Sequence, residues 1–249
     1  MVKQVFHLAI TILLFCIHFC YGQSKTVPVT DFDKIIVSPH IQVTFVEGTT
    51  QTVTIKDTRL PQEKIHIEVT GKTLHMYLEG AKTTTKNVKT NQNGWKSKKP
   101  IYKGTMVTAL ITYTKLKELS IRGQEIMLCE SPIEREDFTL KIYGESKVTM
   151  NSVNVESLYV SMYGESYLEI KQGITSNQKY TVYGEGTINT LGMENKKAKI
   201  TAYGEGSFRI KVSDHLKVTA YGEATVAYNG TPQVNKGIII GEATIKQIN

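Results

Sequence analysis

Residues 141–150, KIYGESKVTM, carry a Tyr-Gly-Glu triplet that the chain repeats at nearly fixed intervals. The triplet returns in four later segments, SMYGESYLEI (161–170), TVYGEGTINT (181–190), TAYGEGSFRI (201–210) and TAYGEATVAY (219–228). A last copy, IIIGEATIKQ (238–247), keeps Gly-Glu but has Ile240 in place of tyrosine. From Gly144 onward the central glycines follow at intervals of 20, 20, 20, 18 and 19 residues. Such a period predicts a stack of similar supersecondary units.

Side chains within each copy alternate between an apolar and a polar face, because successive residues of a strand point to opposite sides. In the first copy the polar face carries Tyr143, Glu145 and Lys147. The apolar face comprises Phe138, Leu140, Ile142, Gly144, Ser146, Val148 and Met150. This face is bulky at both ends and small at the glycine and at the residue two positions later. We therefore predict a sharp backbone bend at each glycine, where larger side chains would collide.

These features predict an all-β fold with a β-solenoid in its C-terminal half. Each coil would contain about 20 residues, from the degenerate first glycine, Gly123, to the end of the chain at residue 249. The N-terminal region, residues 23–122, also alternates, as in HIQVTFVEG (40–48). It predicts antiparallel or irregular β structure continuous with the solenoid. An antiparallel sandwich is the competing fold, but it requires neither a fixed interval nor a repeated corner.

The first 22 residues have the pattern of a signal peptide. Lys3 precedes the apolar segment LAITILLFCI (8–17), which is too short to span a bilayer. We expect cleavage before Gln23 and export to the periplasm, the outer surface or the medium. No other apolar segment reaches spanning length, so we predict no transmembrane segment.

Cysteine usage excludes a disulfide scaffold. Of the three cysteines only Cys129 lies beyond the predicted signal peptide. A single thiol could pair two chains, but a buried cysteine acting as a small apolar side chain is the favoured interpretation.

The positive charge is concentrated in residues 82–103, KTTTKNVKTNQNGWKSKKPIYK. This segment has seven lysines and no acidic residue, so its own charge of +7 equals the formal net charge of the whole chain. We interpret it as a long loop or flexible insertion, because it is polar and lacks periodicity. A lysine-rich surface attracts anionic sugars or nucleic acid, and the predicted export argues against nucleic acid.

Residues 30–249 resemble the head GIN domain family of Bacteroidetes, described as putative auto-transporter adhesins. The resemblance rests on FDKIIVSPHIQVTFVEG (32–48), ITYTKLKELSIRG (111–123), the repeated corner, and VAYNGTPQV (226–234) with GEATI (241–245). It implies a right-handed β-helix-like fold, a role in adhesion and no catalytic residues. Family members usually have Gly-Ser-Gly or Ser-Gly-Ser at the corner, whereas tyrosine and glutamate flank the glycine in this chain.

The repeated triplets predict two outward rows of side chains, and we take these rows as the candidate ligand-binding site. The tyrosine row comprises Tyr143, Tyr163, Tyr183, Tyr203 and Tyr221. The glutamate row comprises Glu145, Glu165, Glu185, Glu205 and Glu223, followed by Glu242. Aromatic faces flanked by polar groups suit a glycan or a protein surface. Alternatively, the rings only stack on one another and hold the register of the coils. Lysines such as Lys147, partial protonation or bound cations would have to offset the repulsion between neighbouring carboxylates.

We therefore expect an exported binding protein without catalytic residues, metal or cofactor. A catalytic carboxylate pair needs two unlike environments, and a regular row makes them alike. Two alternatives stay open: a polysaccharide-processing β-helix enzyme, and a structural or assembly component of the cell envelope. The expected partner is a glycan or a cell-surface or extracellular protein, and exposed coil ends could support a homo-oligomer.

Overall fold

The computed structural model describes residues 24–92 and 95–248. The predicted signal peptide and its cleavage site lie outside these residues. The N-terminal strands are β1 (Lys25–Pro28), β2 (Lys34–Val37), β3 (Ile41–Glu47), β4 (Thr52–Thr58), β5 (Ile65–Thr70), β6 (Thr73–Leu78), β7 (Asn87–Gln92), β8 (Trp95–Pro100) and β9 (Val107–Tyr113). The later strands are β10 (Glu118–Gly123), β11 (Ile126–Cys129), β12 (Ile133–Gly144), β13 (Lys147–Met150), β14 (Val153–Gly164), β15 (Tyr167–Ile170), β16 (Gly173–Thr190), β17 (Met193–Lys211), β18 (His215–Asn229) and β19 (Gln233–Gln247). One short 3-10 helix, Gln62–Lys64, precedes β5. No helix in the described part of the chain is long and apolar enough to cross a membrane.

The C-terminal half is the β-solenoid that the repeats predict. Strands β10, β12, β14, β16, β17, β18 and β19 pair in sequence order, each parallel to the next. Shorter strands β11, β13 and β15 form a second parallel column after the corner. The register pairs equivalent repeat positions, for example Tyr143 with Tyr163 and Gly144 with Gly164. The prediction of a stacked, parallel coil is confirmed.

The N-terminal half combines antiparallel pairs with two further coils of the same stack. Antiparallel pairing joins β1 to β4, β4 to β9 and β5 to β6, as the sequence predicts. In addition, β2 lies parallel between β10 and β6, and β3 lies parallel between β11 and β9. The coil order therefore departs from the chain order, since the coil of β6 and β9 lies outside the coil of β2 and β3.

In the coils from Gly144 onward, interruption of the strand at the corner correlates with the residue two positions after the glycine. Where it is serine, one strand ends at the glycine and a new strand begins three residues later. Ser146 Oγ donates a hydrogen bond to the Gly123 carbonyl at 3.0 Å, and Ser166 Oγ donates to the Gly144 carbonyl at 2.9 Å. These hydroxyls satisfy a carbonyl at the bend. Where the residue is Gly186, Gly206 or Ala224, one strand continues through the corner.

The core is a set of columns in which like positions of successive coils stack. One column comprises Leu140, Val160, Tyr180, Ile200 and Val218, all buried. Tyr180 is the largest of them, and its hydroxyl lies 3.1 Å from Thr190 Oγ1 within the core. Burial raises the pKa of Tyr180, so this hydroxyl stays protonated in the folded chain.

The lysine-rich segment differs from the predicted loop. Strands β7 and β8 pair antiparallel from Asn87 with Pro100 to Gln92 with Trp95, apart from the main sheet. We name residues 79–106 the corner insertion, because they leave the solenoid after β6 and rejoin it at β9. The composition suggested a loop because lysine, asparagine and threonine dominate and no apolar alternation marks the strands. Backbone pairing across the hairpin supplies the order instead.

Cys129 is buried, as the favoured interpretation predicts. Its thiol lies 3.9 Å from the Tyr113 hydroxyl and 3.6 Å from the Ser131 carbonyl oxygen. Burial raises the pKa of the Cys129 thiol to about 12. The thiolate, which is the reactive form, is therefore disfavoured in the folded chain.

We expect Cys129 to be inert towards thiol reagents while the chain is folded. Residues 23–249 contain this cysteine alone, so Ellman's reagent at pH 8 should react with less than about a tenth of the chains in an hour. In denaturant the same sample should react with one thiol per chain. Fast reaction of the folded chain, or a disulfide-linked dimer on a non-reducing gel, would contradict this prediction.

Candidate ligand-binding surface

The five predicted tyrosines form one stacked column, which we name the tyrosine ladder. Centroid distances between successive rings, from Tyr143 to Tyr221, are 4.8, 4.7, 4.7 and 5.0 Å. The interplanar angles are 5°, 4°, 3° and 5°. The three middle rings are 37–39% exposed and the two end rings are half-buried, so the ladder presents part of every ring to solvent. This is the separation at which parallel strands place equivalent side chains.

The glycine column beside the ladder lets successive coils approach at the corner. Gly144 and Gly164 both have φ of 109°, a conformation that residues with a Cβ rarely adopt. A Cβ on Gly164 would also lie 2.4 Å from the Gly144 carbonyl oxygen of the previous coil. The backbone of one coil therefore occupies the space that a side chain would need. Close approach and exact register together hold the rings face to face.

The ladder ends differently on its two sides. The Arg122 guanidinium lies 5.7 Å from the Tyr143 ring centroid, at the ladder position of the preceding coil. On the other side Ile240 pairs with Tyr221 and is 62% exposed. Arg122 was not among the predicted site residues. The position of Arg122 at the end of the ladder could have been predicted from the sequence, because Arg122 directly precedes Gly123 as each ladder tyrosine precedes its glycine.

The glutamate row lies on the other side of the glycines and is exposed. Glu185, Glu205, Glu223 and Glu242 follow one another in parallel register. The ion pairs within residues 24–92 and 95–248 involve other carboxylates. At the strand spacing, neighbouring carboxylates repel by about 1 kcal/mol in water. No three histidine, cysteine or acidic side chains of the described chain form a group that could hold a metal ion.

A pocket of about 680 Å³ lies where the corner insertion folds over the Arg122 end of the ladder. We name it the corner pocket. Its lining includes Arg122, Glu125 and Tyr143 from the solenoid and Thr83 and Tyr102 from the insertion. Sequence analysis missed it, since these residues come from segments that no periodic pattern connects.

His40 holds the insertion against the solenoid at this pocket. Its φ of 71° is the one positive value among the non-glycine residues described. Nδ1 donates a hydrogen bond to the Gly104 carbonyl at 2.8 Å, and Nε2 lies 2.6 Å from Thr85 Oγ1. The His40 and Tyr102 rings pack edge to face with their centroids 5.7 Å apart, and the Tyr102 hydroxyl donates a hydrogen bond to the Glu79 carbonyl at 2.9 Å. Strained backbone fixed by several contacts is common at binding sites.

The family described as putative auto-transporter adhesin, head GIN domain, matches residues 31–232. The chain belongs to this family. The resemblance noted from the sequence is thereby confirmed, and the assigned role of head GIN domains fits a protein that binds partners at the cell surface. No curated protein matches the sequence.

Solved structures from Bacteroidetes share the fold of this head GIN chain. A putative adhesin from Bacteroides fragilis superposes with a TM-score of 0.74 at 17% identity, and one from Parabacteroides merdae with 0.65 at 18%. A putative lipid binding protein from Parabacteroides distasonis gives 0.61 at 17%. Each comparison covers 91% of this chain and 96% of the other. At such low identity the likeness shows the fold alone.

Proposed function

We propose that this chain is an exported, non-catalytic adhesin that holds an extended glycan or protein segment along the tyrosine ladder. The observation that carries the proposal is the unbroken column of five partly exposed rings. Tyrosine supplies a large amphipathic surface at low entropic cost. Four ring spacings, each of 4.7–5.0 Å, make a surface about 19 Å long. That length suits an extended ligand better than a compact one.

The flanking glutamates supply hydrogen-bond acceptors along the same surface. A shallow depression between coils is lined by Glu185, Glu205 and Glu223, with Thr187, Ser207 and Thr225 alongside. Hydroxyl and carboxylate groups in register can bind the hydroxyls of successive sugar units. The repeated environment argues against catalysis, because acid and base roles require carboxylates in different surroundings.

Changing Tyr163, Tyr183 and Tyr203 to serine should abolish binding to the ladder ligand. Removal of the three middle rings deletes every stacked pair and most of the aromatic surface. We expect at least a tenfold weaker affinity on a glycan array and towards mucin, since each stacked ring contributes about 1 kcal/mol or more. The matched control changes Tyr159, an exposed tyrosine outside the ladder, to serine and should bind as the parent does.

Circular dichroism and thermal melting must show that the triple variant remains folded. Unchanged binding by a folded triple variant would contradict the proposal. Absence of binding by the parent, together with a much lower melting temperature of the variant, would assign the ladder to stabilisation of the fold.

An assembly role is the second candidate, and the C-terminal coil favours it. Strand β19 pairs with β18 along one edge, and no strand of the described residues covers its other edge. Ile238 is 58% exposed there. Open edges invite pairing with another chain. Sedimentation of the same samples distinguishes the roles: a dimer that persists in the triple tyrosine variant favours assembly, and a monomer favours the adhesin.

A further inference from the structure

We propose that the corner pocket binds the terminal sugar of an acidic glycan, one that carries a carboxylate or sulfate group. The inference rests on the proposed function, because it states that the glycan bound along the ladder ends in an acidic sugar and that this sugar lies in the pocket. Tyr143 is both the first ring of the ladder and part of the pocket lining. A chain lying along the ladder therefore reaches the pocket at the first ring of the ladder.

One side of the pocket is positively charged. Arg122 is half-buried, its Nη1 donates a hydrogen bond to Thr83 Oγ1 at 3.3 Å, and its Cζ lies over the Tyr143 ring at 5.7 Å from the centroid. No carboxylate of the described chain lies within ion-pair distance of this guanidinium. Lys103 of the corner insertion also lines the pocket. A guanidinium with free donors binds a carboxylate or sulfate through two parallel hydrogen bonds.

The other side of the pocket accepts hydrogen bonds. Glu125 occupies the position that is serine, glycine or alanine in every later coil, and its side chain is 4% exposed. Its Oε2 accepts a hydrogen bond from the Gln124 backbone N–H at 3.0 Å, and Oε1 lies 3.9 Å from His40 Nδ1. A buried carboxylate needs several donors. Sugar hydroxyls supply such donors.

Gly123 makes room for this carboxylate. A Cβ at that residue would lie 2.4 Å from Glu125 Oε2 and 3.0 Å from Pro39 Cα. The absence of a side chain at Gly123 therefore leaves the space that the Glu125 carboxylate occupies at the pocket. His40, next to Glu125, holds the corner insertion at the pocket through its hydrogen bonds to Gly104 and Thr85.

The two unlike sides select the class of ligand. An acidic sugar offers an anion to Arg122, hydroxyl donors to Glu125 and a ring face to Tyr143. A free sulfate or phosphate ion would contact the cationic side chains Arg122 and Lys103 but would fill little of the 680 Å³ and leave Glu125 without donors. A fatty acid would satisfy Arg122 but would lay its alkyl chain against the Glu125 carboxylate, which is unfavourable.

The test compares four probes by isothermal titration with the chain processed at its predicted cleavage site. The probes are a galacturonic acid tetramer, a sulfated chondroitin tetrasaccharide, a neutral galactose tetramer and laurate. The variants are Arg122→Gln, Arg122→Lys and Glu125→Gln, with Arg209→Gln as a matched control at an exposed arginine of β17. Melting temperatures establish that each variant is folded.

We expect Arg122→Gln to weaken binding of an acidic tetramer about tenfold or more, with Arg122→Lys intermediate, because a bidentate charged contact is lost. Glu125→Gln should weaken it severalfold, and Arg209→Gln should leave it unchanged. The carboxylated and sulfated probes distinguish the two sources of the anion. Equal effects of Arg122→Gln and Arg209→Gln, tighter binding of laurate than of either acidic sugar, or no binding of acidic sugars would each overturn the proposal.

The outcomes also separate this proposal from the ladder. In one outcome, a neutral tetramer binds the parent and the Arg122→Gln variant with equal affinity but fails to bind the triple tyrosine variant. That result would support binding at the ladder and contradict the proposed role of the pocket. An acidic tetramer that depends on Arg122 but not on the three tyrosines would retain the pocket and reject the ladder.

Discussion

Gly164→Ala should lower the melting temperature by about 10 °C, from a loss of about 3–5 kcal/mol in the free energy of unfolding. Two costs combine at this corner. The φ of 109° is strained for any residue with a Cβ, and the new methyl group would lie 2.4 Å from the Gly144 carbonyl oxygen. Backbone atoms of a packed coil cannot move aside cheaply, so neighbouring coils must separate. Thermal unfolding followed by circular dichroism measures the change.

Gly71→Ala is the matched control for this prediction. Gly71 has φ of 59°, but a Cβ there meets no atom within 4 Å. Only the conformational cost of about 1–2 kcal/mol remains, and the expected shift is about 2–6 °C. If both substitutions lower the melting temperature equally, contact between coils at the corner does not contribute, and the account of the glycine column is wrong.

Gly206→Ala combined with Phe208→Val should be more stable than the sum of the two single changes predicts. A Cβ on Gly206 would lie 2.7 Å from Phe208 Cε2, so the alanine alone overpacks the core by about 1–3 kcal/mol. Phe208→Val alone leaves a cavity beside Tyr180 and costs about 2–4 kcal/mol. Together the two changes reproduce the next coil, where Ala224 precedes Val226. We expect a favourable coupling of about 1–2 kcal/mol in urea unfolding.

The control cycle combines Gly206→Ala with Phe138→Leu, a core substitution in a distant coil. Those two changes share no partner, so their effects should add within about 0.5 kcal/mol. Additive effects in the Gly206 and Phe208 cycle would show that the small corner residue and the bulky residue after it are independent. The repeated pattern of the apolar face would then need another explanation.

The sequence alone identified the solenoid, the corner and the two outward rows. These features follow from the alternation of apolar and polar residues along each strand and from the fixed interval between repeats. The first reflects interactions of residues that are neighbours in the chain, and the second reflects contacts between identical positions of successive coils. Once Tyr143 is placed above Tyr163, the same spacing places every later ring. The burial of Cys129 was also predictable, because a single cysteine in an apolar strand favours the core.

Tertiary structure alone decided the N-terminal coils and the corner pocket. Strands β2 and β6 join the stack without a repeated triplet, and their order in space departs from their order in the chain. The hairpin of β7 and β8 is composed of residues that suggest a loop, yet its two strands pair. The corner insertion that carries it is tied to the solenoid by contacts such as the hydrogen bond from Ser38 Oγ to the Lys82 carbonyl at 2.6 Å. The pocket likewise depends on His40 meeting Gly104, 64 residues away. A periodic pattern records interactions that recur, whereas contacts made once between distant segments leave no pattern in the sequence.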